Sequence, residues 1–436
     1  MRVEIRGGRV VDPASQHDDV ASVYIDDGRI VAVSKSFADF NADLLVDAAG
    51  LVVIPGIVEL AAHIQGSLQS GQAALGAELH AGVAGGFTTL CIPPSEQLVL
   101  DSPADVELVH QRANALALAR VEVLGTLTAG LDGEHLAEMY TLLQAGCPAV
   151  SNGMVPIRST EVMRRALQYA STFDLTVLLH CQDPWLAAER LVHGGQPSFM
   201  LGLDEVPESA ETVAVARDLL LVEDADCRAH FCRLTSARSL SLVAQAKARG
   251  LRVTADTALP YLFLTHEDVS GFDSRCHVNP PFRSPEDRDA LRVGLADGTL
   301  TCLVTDHQPR SLDAKMNPFP ETEPGISGLD TALPLALQWM RECNVPLLRG
   351  IATLTMEPAA VVGIDRGTLA PGAVADICVF DPRAEVVIDS NQFHSRGRNT
   401  PFDGQRSTGV VSATFVGGRL VYRAQALPVT GVNDPT

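Results

Sequence analysis

Residues 55–66 read PGIVELAAHIQG, and the fold prediction starts from this stretch. The apolar run at 51–54 is typical of a buried parallel strand, which a Pro-Gly pair then interrupts. A second extended segment follows and ends at His63. Alternate residues of a strand point to the same side, so a His-x-His pair can bind one metal ion. Here the pair is incomplete, because Ala61 occupies the first position.

Strand-like and helix-like segments alternate through residues 51–365. Short apolar runs predict further strands at 87–92, 121–126, 149–152, 175–180, 229–233, 252–255 and 301–306. Segments rich in Ala and Leu predict helices at 104–120, 160–171, 210–222, 236–248 and 285–295. Eight strands joined by helices predict an α/β fold, a (β/α)8 TIM barrel, with its chemistry at the carboxyl ends of the strands. Four polar residues each close one of these strands: His63, His180, Arg233 and Asp306.

The two ends of the chain have a different character from the middle. Residues 1–50 and 366–424 are rich in short strand-like runs and turns, and Asp27-Gly28 is a hairpin signal. We therefore predict a small β-sandwich built from both ends. Residues 425–436 are predicted to be a loose tail.

Composition excludes several classes of function. The chain has 436 residues, 46% of them hydrophobic, and a net charge of −20, which argues against nucleic-acid and anionic-membrane partners. It has no signal-like start and no apolar stretch of about 20 residues. Nine scattered cysteines without a C-x-x-C pair are typical of reduced thiols. We expect a cytoplasmic protein.

Seven motifs, in their order and spacing, resemble class I dihydroorotases of the amidohydrolase superfamily over nearly the whole chain. They are PGIVELAAHIQG (55–66), AGGFTTLCIPPSE (84–96), TVLLHCQDP (176–184), RAHFCRLTSARSL (228–240), VNPPFRSPEDRDAL (278–291), LVTDHQPR (303–310) and PGISGLDTALPL (324–335). The resemblance implies an amidohydrolase barrel flanked by a β-sandwich. It also implies zinc and the reversible cyclisation of carbamoyl-aspartate in pyrimidine synthesis.

The resemblance further implies which positions would form the site, and many of them are changed. Three implied zinc ligands are retained, namely His63, His180 and Asp306, of which Asp306 is also the implied general base. Three are lost, at Ala61, Gly153 and Arg233. Among the implied substrate contacts, Asn279 is retained and three positions are altered, at Gln65, Ser95 and Arg310.

Arg233 is the most consequential of these changes. Its guanidinium is always charged and offers no lone pair, and a divalent ion about 4 Å away would meet roughly 8 kcal/mol of repulsion. Zinc lowers the pKa of its bound water from about 15.7 to about 7, so its loss gives up on the order of 10 kcal/mol of activation. We expect no cofactor; if the chain does bind one, we expect it to be zinc. We hypothesise that Arg233 fills the vacated site by pairing with Asp306; the alternative is that it reaches solvent.

Other titratable residues have simpler interpretations. His230 should face the other side of its strand and be structural, and His307 should serve packing. Cys181 is predicted to be a core thiol, with a replacement metal ligand as the alternative. Residues 310–327 are predicted to form a flap over the barrel mouth.

Three functions follow from the resemblance and the losses. Degenerate copies in this family are known as partners of aspartate carbamoyltransferase, so the leading prediction is an inactive subunit that supports assembly of that enzyme as a homo-oligomer or hetero-oligomer. The first alternative is a metal-dependent cyclic amide hydrolase that uses His63, His180 and Asp306. The second is a module that binds carbamoyl-aspartate or dihydroorotate through Asn279 and Arg310.

Overall fold

A computed structural model describes residues 1–66, 72–188 and 190–431. The strands in chain order are β1 (Arg2–Asp12), β2 (His17–Asp26), β3 (Arg29–Ser34), β4 (Leu44–Asp47), β5 (Val52–Pro55), β6 (Ile57–Glu59), β7 (Phe87–Ile92), β8 (Arg120–Val123), β9 (Gly125–Thr126), β10 (Ala149–Ser151), β11 (Thr176–His180), β12 (Val192–His193), β13 (Glu205–Val206), β14 (Arg228–Cys232), β15 (Val253–Ala258), β16 (Cys302–Val304), β17 (Ile377–Val387), β18 (Arg406–Val416), β19 (Arg419–Arg423) and β20 (Val429–Gly431). The helices are α1 (Gln72–Ala84), α2 (Pro103–Leu116), α3 (Met139–Gln144), α4 (Thr160–Thr172), α5 (Pro184–Ala187), α6 (Gln196–Leu201), α7 (Ser209–Ala225), α8 (Ala237–Ala248), α9 (Pro285–Asp297), α10 (Asp313–Met316), α11 (Ala332–Glu342), α12 (Leu347–Ala352) and α13 (Met356–Val362).

The middle of the chain forms the predicted eight-stranded barrel. Parallel pairing runs from β6 through β7 to β8, and from β9 through β10, β11, β14 and β15 to β16. The short strands β8 and β9 are consecutive parts of one barrel position, separated by Leu124. The ring closes where Ala62 pairs in parallel with His307 and the His63 amide donates to the His307 carbonyl at 2.8 Å. The predicted barrel is confirmed.

The predicted helices also form, and their ends follow local chemistry. Helix α9 begins after Ser284, whose hydroxyl accepts from the Asp287 amide while the Asp287 carboxylate accepts from the Ser284 amide. It ends at Gly298, which has a φ of 90°. The helix predicted at 104–120 ends earlier, as α2, because Ala117 turns into the left-handed region and β8 follows.

Both chain ends build one nine-stranded sheet, as predicted. Its order is β19-β18-β17-β5-β1-β2-β3, with β4 beside β1 and β20 beside β4. The hairpin between β2 and β3 turns at Asp27 and Gly28, which have φ of 48° and 76° and therefore suit a tight turn of the primed type. The sheet has its own apolar cluster, which includes Ile5, Val53 and Phe415.

Two boundaries differ from the prediction. Strand β5 lies in the predicted barrel range 51–365, but it pairs in parallel with β1 and antiparallel with β17. The barrel begins instead at β6, after Gly56, where an added Cβ would lie 2.1 Å from the Thr88 hydroxyl oxygen. The loose tail predicted at 425–436 is wrong over β20, which pairs with β4 and is preceded by the buried Leu427. Residues 432–436 lie outside the described residues.

The helices and the cysteines were each compared with the predictions from composition. No helix within 1–66, 72–188 and 190–431 is both long and apolar enough to cross a bilayer. All nine cysteines are free thiols, and eight of them are buried.

Candidate functional site at the barrel mouth

The barrel brings together the four residues predicted to close its strands. His180 ends β11, Arg233 follows β14, Asp306 follows β16, and His63 follows β6. Asp306 Oδ1 lies 3.7 Å from His63 Nε2 and 3.6 Å from Arg233 Nη1. Arg233 Nη2 donates to His180 Nδ1 at 3.3 Å. The guanidinium therefore lies between the carboxylate and the second histidine.

Arg233 is buried and turned toward Asp306, not toward solvent. The pair is a charge contact without a hydrogen bond, because Arg233 Nε and Asp306 Oδ1 are both buried without a hydrogen-bond partner in the described part of the chain. The other carboxylate oxygen, Oδ2, accepts from Gln308 Nε2 at 2.9 Å. This geometry supports the hypothesis that Arg233 occupies the vacated site.

A second hydrogen-bond network, centred on Asp256, contacts the backbone of Arg233. The Asp256 carboxylate accepts from the Arg233 amide at 2.5 Å and from His230 Nε2 at 2.8 Å. His230 Nδ1 lies 2.7 Å from the Thr254 hydroxyl. Arg233 has a φ of 54°, a conformation that costs a residue with a side chain about 1–3 kcal/mol, and the hydrogen bond that its amide donates to Asp256 offsets part of that cost. His230 is thus structural, as predicted.

Burial sets the charge states at the mouth. Burial, reinforced by the Arg233 charge, lowers the pKa of His180 to about 3. Burial also lowers the pKa of His63, although Asp306 opposes the shift. Burial raises the pKa of Asp306, but the charge of Arg233 and the contact with His63 outweigh it, so the pKa of this carboxyl falls below its ordinary value. At neutral pH the site holds two neutral histidines, one carboxylate and one guanidinium.

Replacing His180 with glutamine is expected to flatten the acid side of the stability profile. Its pKa of about 3 in the folded chain lies below an ordinary value of about 6.5, so its contribution is complete above pH 6.5 and is lost as pH falls toward 3. Between pH 6.5 and 4 the wild type should lose about 3 kcal/mol through this group, and His180→Gln should not. Urea titrations at each pH measure the difference. His135→Gln is the control, because the contact with Asp132 raises the pKa of this exposed histidine and its removal should not flatten the acid side. Parallel profiles for wild type and His180→Gln would contradict the assignment.

The residues at the mouth do not fit a zinc ion. Within the described ranges, one group of three His, Cys, Asp or Glu side chains has its ligand atoms within 4.8 Å of one another, and it is His230, Cys232 and Asp256. His63, His180 and Asp306 do not form such a set, and the guanidinium lies among them. In the buried trio, the His230 and Asp256 atoms are already joined by a hydrogen bond.

The position implied for the bridging carboxylate is closed by the backbone. Gly153 has a φ of 58°, and an added Cβ would lie 2.1 Å from the Pro94 carbonyl oxygen. The neighbouring Asn152 directs its side chain elsewhere, because its Oδ1 accepts from the Thr128 hydroxyl at 2.8 Å. Ala61 is buried and has no side-chain polar atom. At Ala61 and Gly153, therefore, the side chain that the resemblance implies as a ligand is absent, and at Arg233 it is replaced by a cation.

A cavity of about 390 Å³ opens above this cluster. Its lining includes five residues that the sequence associates with ligands or substrate, namely His63, Gln65, Ser95, Asn279 and Arg310. Asn279 Oδ1 accepts from Gln182 Nε2 at 2.9 Å, and Gln182 Oε1 accepts from His180 Nε2 at 3.3 Å. A chain of hydrogen bonds therefore runs from Arg233 to the cavity wall.

Arg310 reaches the cavity but is engaged by its own loop. Its Nη1 lies 2.9 Å from Glu323 Oε2, and its Nε donates to the Pro324 carbonyl at 2.8 Å. The loop is tied to the C-terminal segment through Asn399, whose Nδ2 donates to the Gly325 carbonyl at 2.8 Å. Lys315 Nζ joins it to the barrel by donating to the Ser274 carbonyl at 3.1 Å. A flap at 310–327 stays a prediction.

Several site residues were missed from the sequence, although some carried a signal. Gln182 and Gln308 each lie two residues beyond a predicted ligand, which places them on the same side of an extended segment. Asp256 and Glu59 are buried carboxylates, of which Asp256 directly follows the strand predicted at 252–255 and Glu59 lies in the extended segment that ends at His63. Glu59 accepts from the Thr305 amide at 2.8 Å and links the first and last strands of the barrel. Burial raises the pKa of Glu59 to about 7.

The remaining histidine near the site has a packing role, as predicted. His307 Nε2 lies 2.9 Å from the carboxylate of Glu78, and both side chains are buried. His307 Nδ1 accepts from the Gly328 amide at 3.1 Å. These contacts join helix α1 to the closing strand of the barrel. Cys181 is buried, and its thiol lies 3.8 Å from the Leu179 carbonyl.

Comparison with known proteins defines the family. Residues 50–239 match the dihydro-orotase-like family, and residues 232–422 match the amidohydrolase family. A dihydroorotase-like protein of Pseudomonas aeruginosa is 44% identical over 422 residues, which cover 97% of this chain and 100% of that protein. The chain belongs to the dihydroorotase-like amidohydrolase family. Another member, named dihydroorotase, from Anaeromyxobacter sp. (strain K), is 41% identical over 420 residues, which cover 96% of this chain and 97% of that protein.

Solved structures confirm the fold of this dihydroorotase-like chain. L-hydantoinase (dihydropyrimidinase) from Arthrobacter aurescens matches with a TM-score of 0.84 at 24% identity, over 97% of this chain and 96% of that one. Dihydropyrimidinase from Brevibacillus agri matches with a TM-score of 0.83 at 21% identity, over 97% and 95% of the two chains. These likenesses support an amidohydrolase barrel with an attached β-sandwich.

Proposed function

We propose that this chain is a catalytically inactive dihydroorotase-like subunit that supports the assembly of aspartate carbamoyltransferase in pyrimidine biosynthesis. The observation that carries the proposal is the buried Arg233, which lies 3.6 Å from Asp306 and 3.3 Å from His180. A fixed positive charge thereby takes the place where two retained positions would have to face a metal ion. The partner comes from the family resemblance alone.

The chemistry that remains at the site supports the proposed loss of activity. Asp306 lies close to both His63 and Arg233, and the guanidinium holds the pKa of this carboxyl below its ordinary value. Such a carboxylate is a weak base, and by itself it cannot generate hydroxide at neutral pH. Gln65 offers a neutral amide at the mouth instead of a bidentate cationic clamp. Activation of water and capture of a carboxylate substrate are therefore both impaired.

A second candidate is a ligand-binding module that holds carbamoyl-aspartate or dihydroorotate without turnover. The cavity of about 390 Å³ favours it, because Asn279, Ser95 and Arg310 all line the same space. Against it, Arg310 already pairs with Glu323 at 2.9 Å, so a ligand carboxylate would have to compete with that contact. A ligand-dependent rise in Tm would support this candidate.

The proposal is tested with full-length protein purified without chelator. We expect no stoichiometric zinc by elemental analysis and no hydrolysis of dihydroorotate above the uncatalysed rate. Mixed with aspartate carbamoyltransferase from the same organism, the chain should co-elute in size-exclusion chromatography. It should also preserve the activity of that enzyme on dilution.

A result with zinc and turnover would contradict the proposal. Stoichiometric zinc, together with turnover that a chelator abolishes and zinc restores, would establish the metal-dependent cyclic amide hydrolase that is the first alternative. It would also mean that His63, His180 and Asp306 rearrange around Arg233. Absence of both turnover and co-elution would leave the binding module as the surviving candidate.

A further inference from the structure

Large apolar side chains stand exposed on three neighbouring segments of the barrel mouth. We define the rim strip as Phe199 and Met200 on α6, Phe272 after the 3₁₀ turn His266–Gly271, and Leu312 and Met316 at α10. Their exposed fractions are 86%, 73%, 50%, 64% and 78% in that order. Burying such a side chain is worth about 1.5–3 kcal/mol, so five of them in one region form a strong candidate for an interface.

The segments of the rim strip are joined to one another. The rings of His193, just before α6, and His266 in the 3₁₀ turn lie 5.3 Å apart. On the other side, Lys315 of α10 donates to the Ser274 carbonyl at 3.1 Å, while the Ser274 hydroxyl donates to the Lys315 carbonyl at 2.6 Å. The three segments that carry the apolar side chains are therefore neighbours along the rim.

The described residues leave the strip uncovered. Helix α10 has no buried residue, and polar contacts such as those of Lys315 hold it in place. Its apolar residue Met316 faces solvent. A short helix held by polar contacts, with an exposed methionine, is an arrangement that suits contact with another surface.

Charge around the strip selects the occupant. The exposed carboxylates on these segments are Asp204, Glu205, Glu267, Asp268, Asp313, Glu321 and Glu323, whereas the exposed cations there are Arg190 and Arg275. Arg275 is already paired with Asp273 at 2.7 Å, and Glu323 is paired with Arg310 at 2.9 Å, so the remaining six carboxylates give the border its charge. An acidic border opposes contact with a second copy of the same surface and with an anionic bilayer. It favours a protein surface whose apolar side chains are ringed by lysine and arginine.

We infer that the rim strip is the docking surface for a protein partner that presents apolar side chains ringed by basic residues. The inference rests on the proposed function, in which that partner is aspartate carbamoyltransferase. The loop that carries Leu312 and Met316 also supplies Arg310 and Pro324 to the cavity wall. A partner docked on the strip would therefore lie over the entrance of the cavity.

The test compares two double variants of the full chain. Phe199→Ser/Met316→Ser changes the rim strip, whereas Leu220→Ser/Val293→Ser changes residues that are 66% and 62% exposed on the outer helices α7 and α9. Binding to aspartate carbamoyltransferase from the same organism is measured by biolayer interferometry. We expect the rim variant to bind on the order of 30-fold more weakly and the control to stay within about twofold of wild type. Raising NaCl from about 50 to about 500 mM should weaken the wild type.

Each outcome separates this inference from the proposed function. If the wild type binds and the rim variant binds equally well, the docking surface is wrong while the proposed function survives. If the wild type does not bind at all, the proposed function fails and the inference falls with it. If the rim variant instead dissociates a homo-oligomer of this chain, the occupant is a second copy, and the inference is overturned. Unchanged circular dichroism and Tm of both variants exclude misfolding as the cause.

Discussion

With Arg233 replaced by methionine, the free energy of unfolding is expected to fall by about 3–5 kcal/mol at pH 8. The guanidinium lies 3.6 Å from Asp306 Oδ1 in a buried site, so its removal leaves a carboxylate without its counter-charge. Methionine is long and flexible enough to fill much of the same volume. The loss should therefore come mainly from charge.

The stability deficit of Arg233→Met should depend on pH, and the pKa of Asp306 decides the direction of that dependence. In the wild type, Arg233 holds the pKa of Asp306 below its ordinary value, so the pair stabilises the fold above that value. Without Arg233, burial is the main influence and raises the pKa of Asp306. The folded variant then binds a proton more tightly than the unfolded chain, and its stability falls as pH rises. The deficit of Arg233→Met should be smaller at pH 5 than at pH 8.

A double variant provides the control. Arg233→Met/Asp306→Asn removes both charges, and its stability should return to within about 1.5 kcal/mol of wild type, with no growth of the deficit above pH 5. Guanidinium titrations of the wild type, both single variants and the double variant measure the coupling. Equal losses for Arg233→Met at both pH values, with no recovery in the double variant, would show that Arg233 acts through packing and not through Asp306.

The barrel and its site residues were predictable for a common physical reason. In a parallel barrel the carboxyl ends of all strands meet at one face, so a residue that closes a strand is placed by its strand alone. His180 and Arg233 are 53 positions apart in the chain, yet they are joined by a hydrogen bond, as expected for residues at the ends of two adjacent strands. The opposite charges of Arg233 and Asp306 then predicted that the two side chains would pair, and they lie 3.6 Å apart. Each step used only strand direction and the sign of the charges.

The sequence could not predict which strands pair with β5 and β20, or which groups donate to the buried carboxylate of Asp256. Strand β5 is apolar on both faces, which suits either a barrel or a two-sided sheet, and its position depends on pairing with β1 and β17. The terminal strand β20 is short and partly exposed, so its pairing with β4 leaves almost no trace in its composition. Asp256 was missed because a buried carboxylate can be interpreted only once its donors, here His230 and the Arg233 amide, are known.

Replacing Gly153 with alanine is expected to destabilise the chain by roughly 3 kcal/mol or more. The left-handed φ of 58° costs a residue with a Cβ about 1–2 kcal/mol. The new Cβ would also lie 2.1 Å from the Pro94 carbonyl oxygen, and this clash cannot be relieved by a side-chain rotation because the obstacle is backbone. Urea denaturation at pH 7.5 measures the loss.

Gly130 is a matched control for this substitution. It has a φ of 59°, nearly the same as that of Gly153, but an added Cβ would meet nothing within 4 Å. Gly130→Ala should therefore show only the conformational cost of about 1–2 kcal/mol, and the difference between the two variants isolates the clash with Pro94. If Gly153→Ala proves no worse than Gly130→Ala, the backbone at the mouth yields easily and a carboxylate could return to this position. If the difference is large, restoring the implied bridging aspartate requires the Pro94 segment to move as well, and no single substitution at Gly153 can rebuild a metal centre.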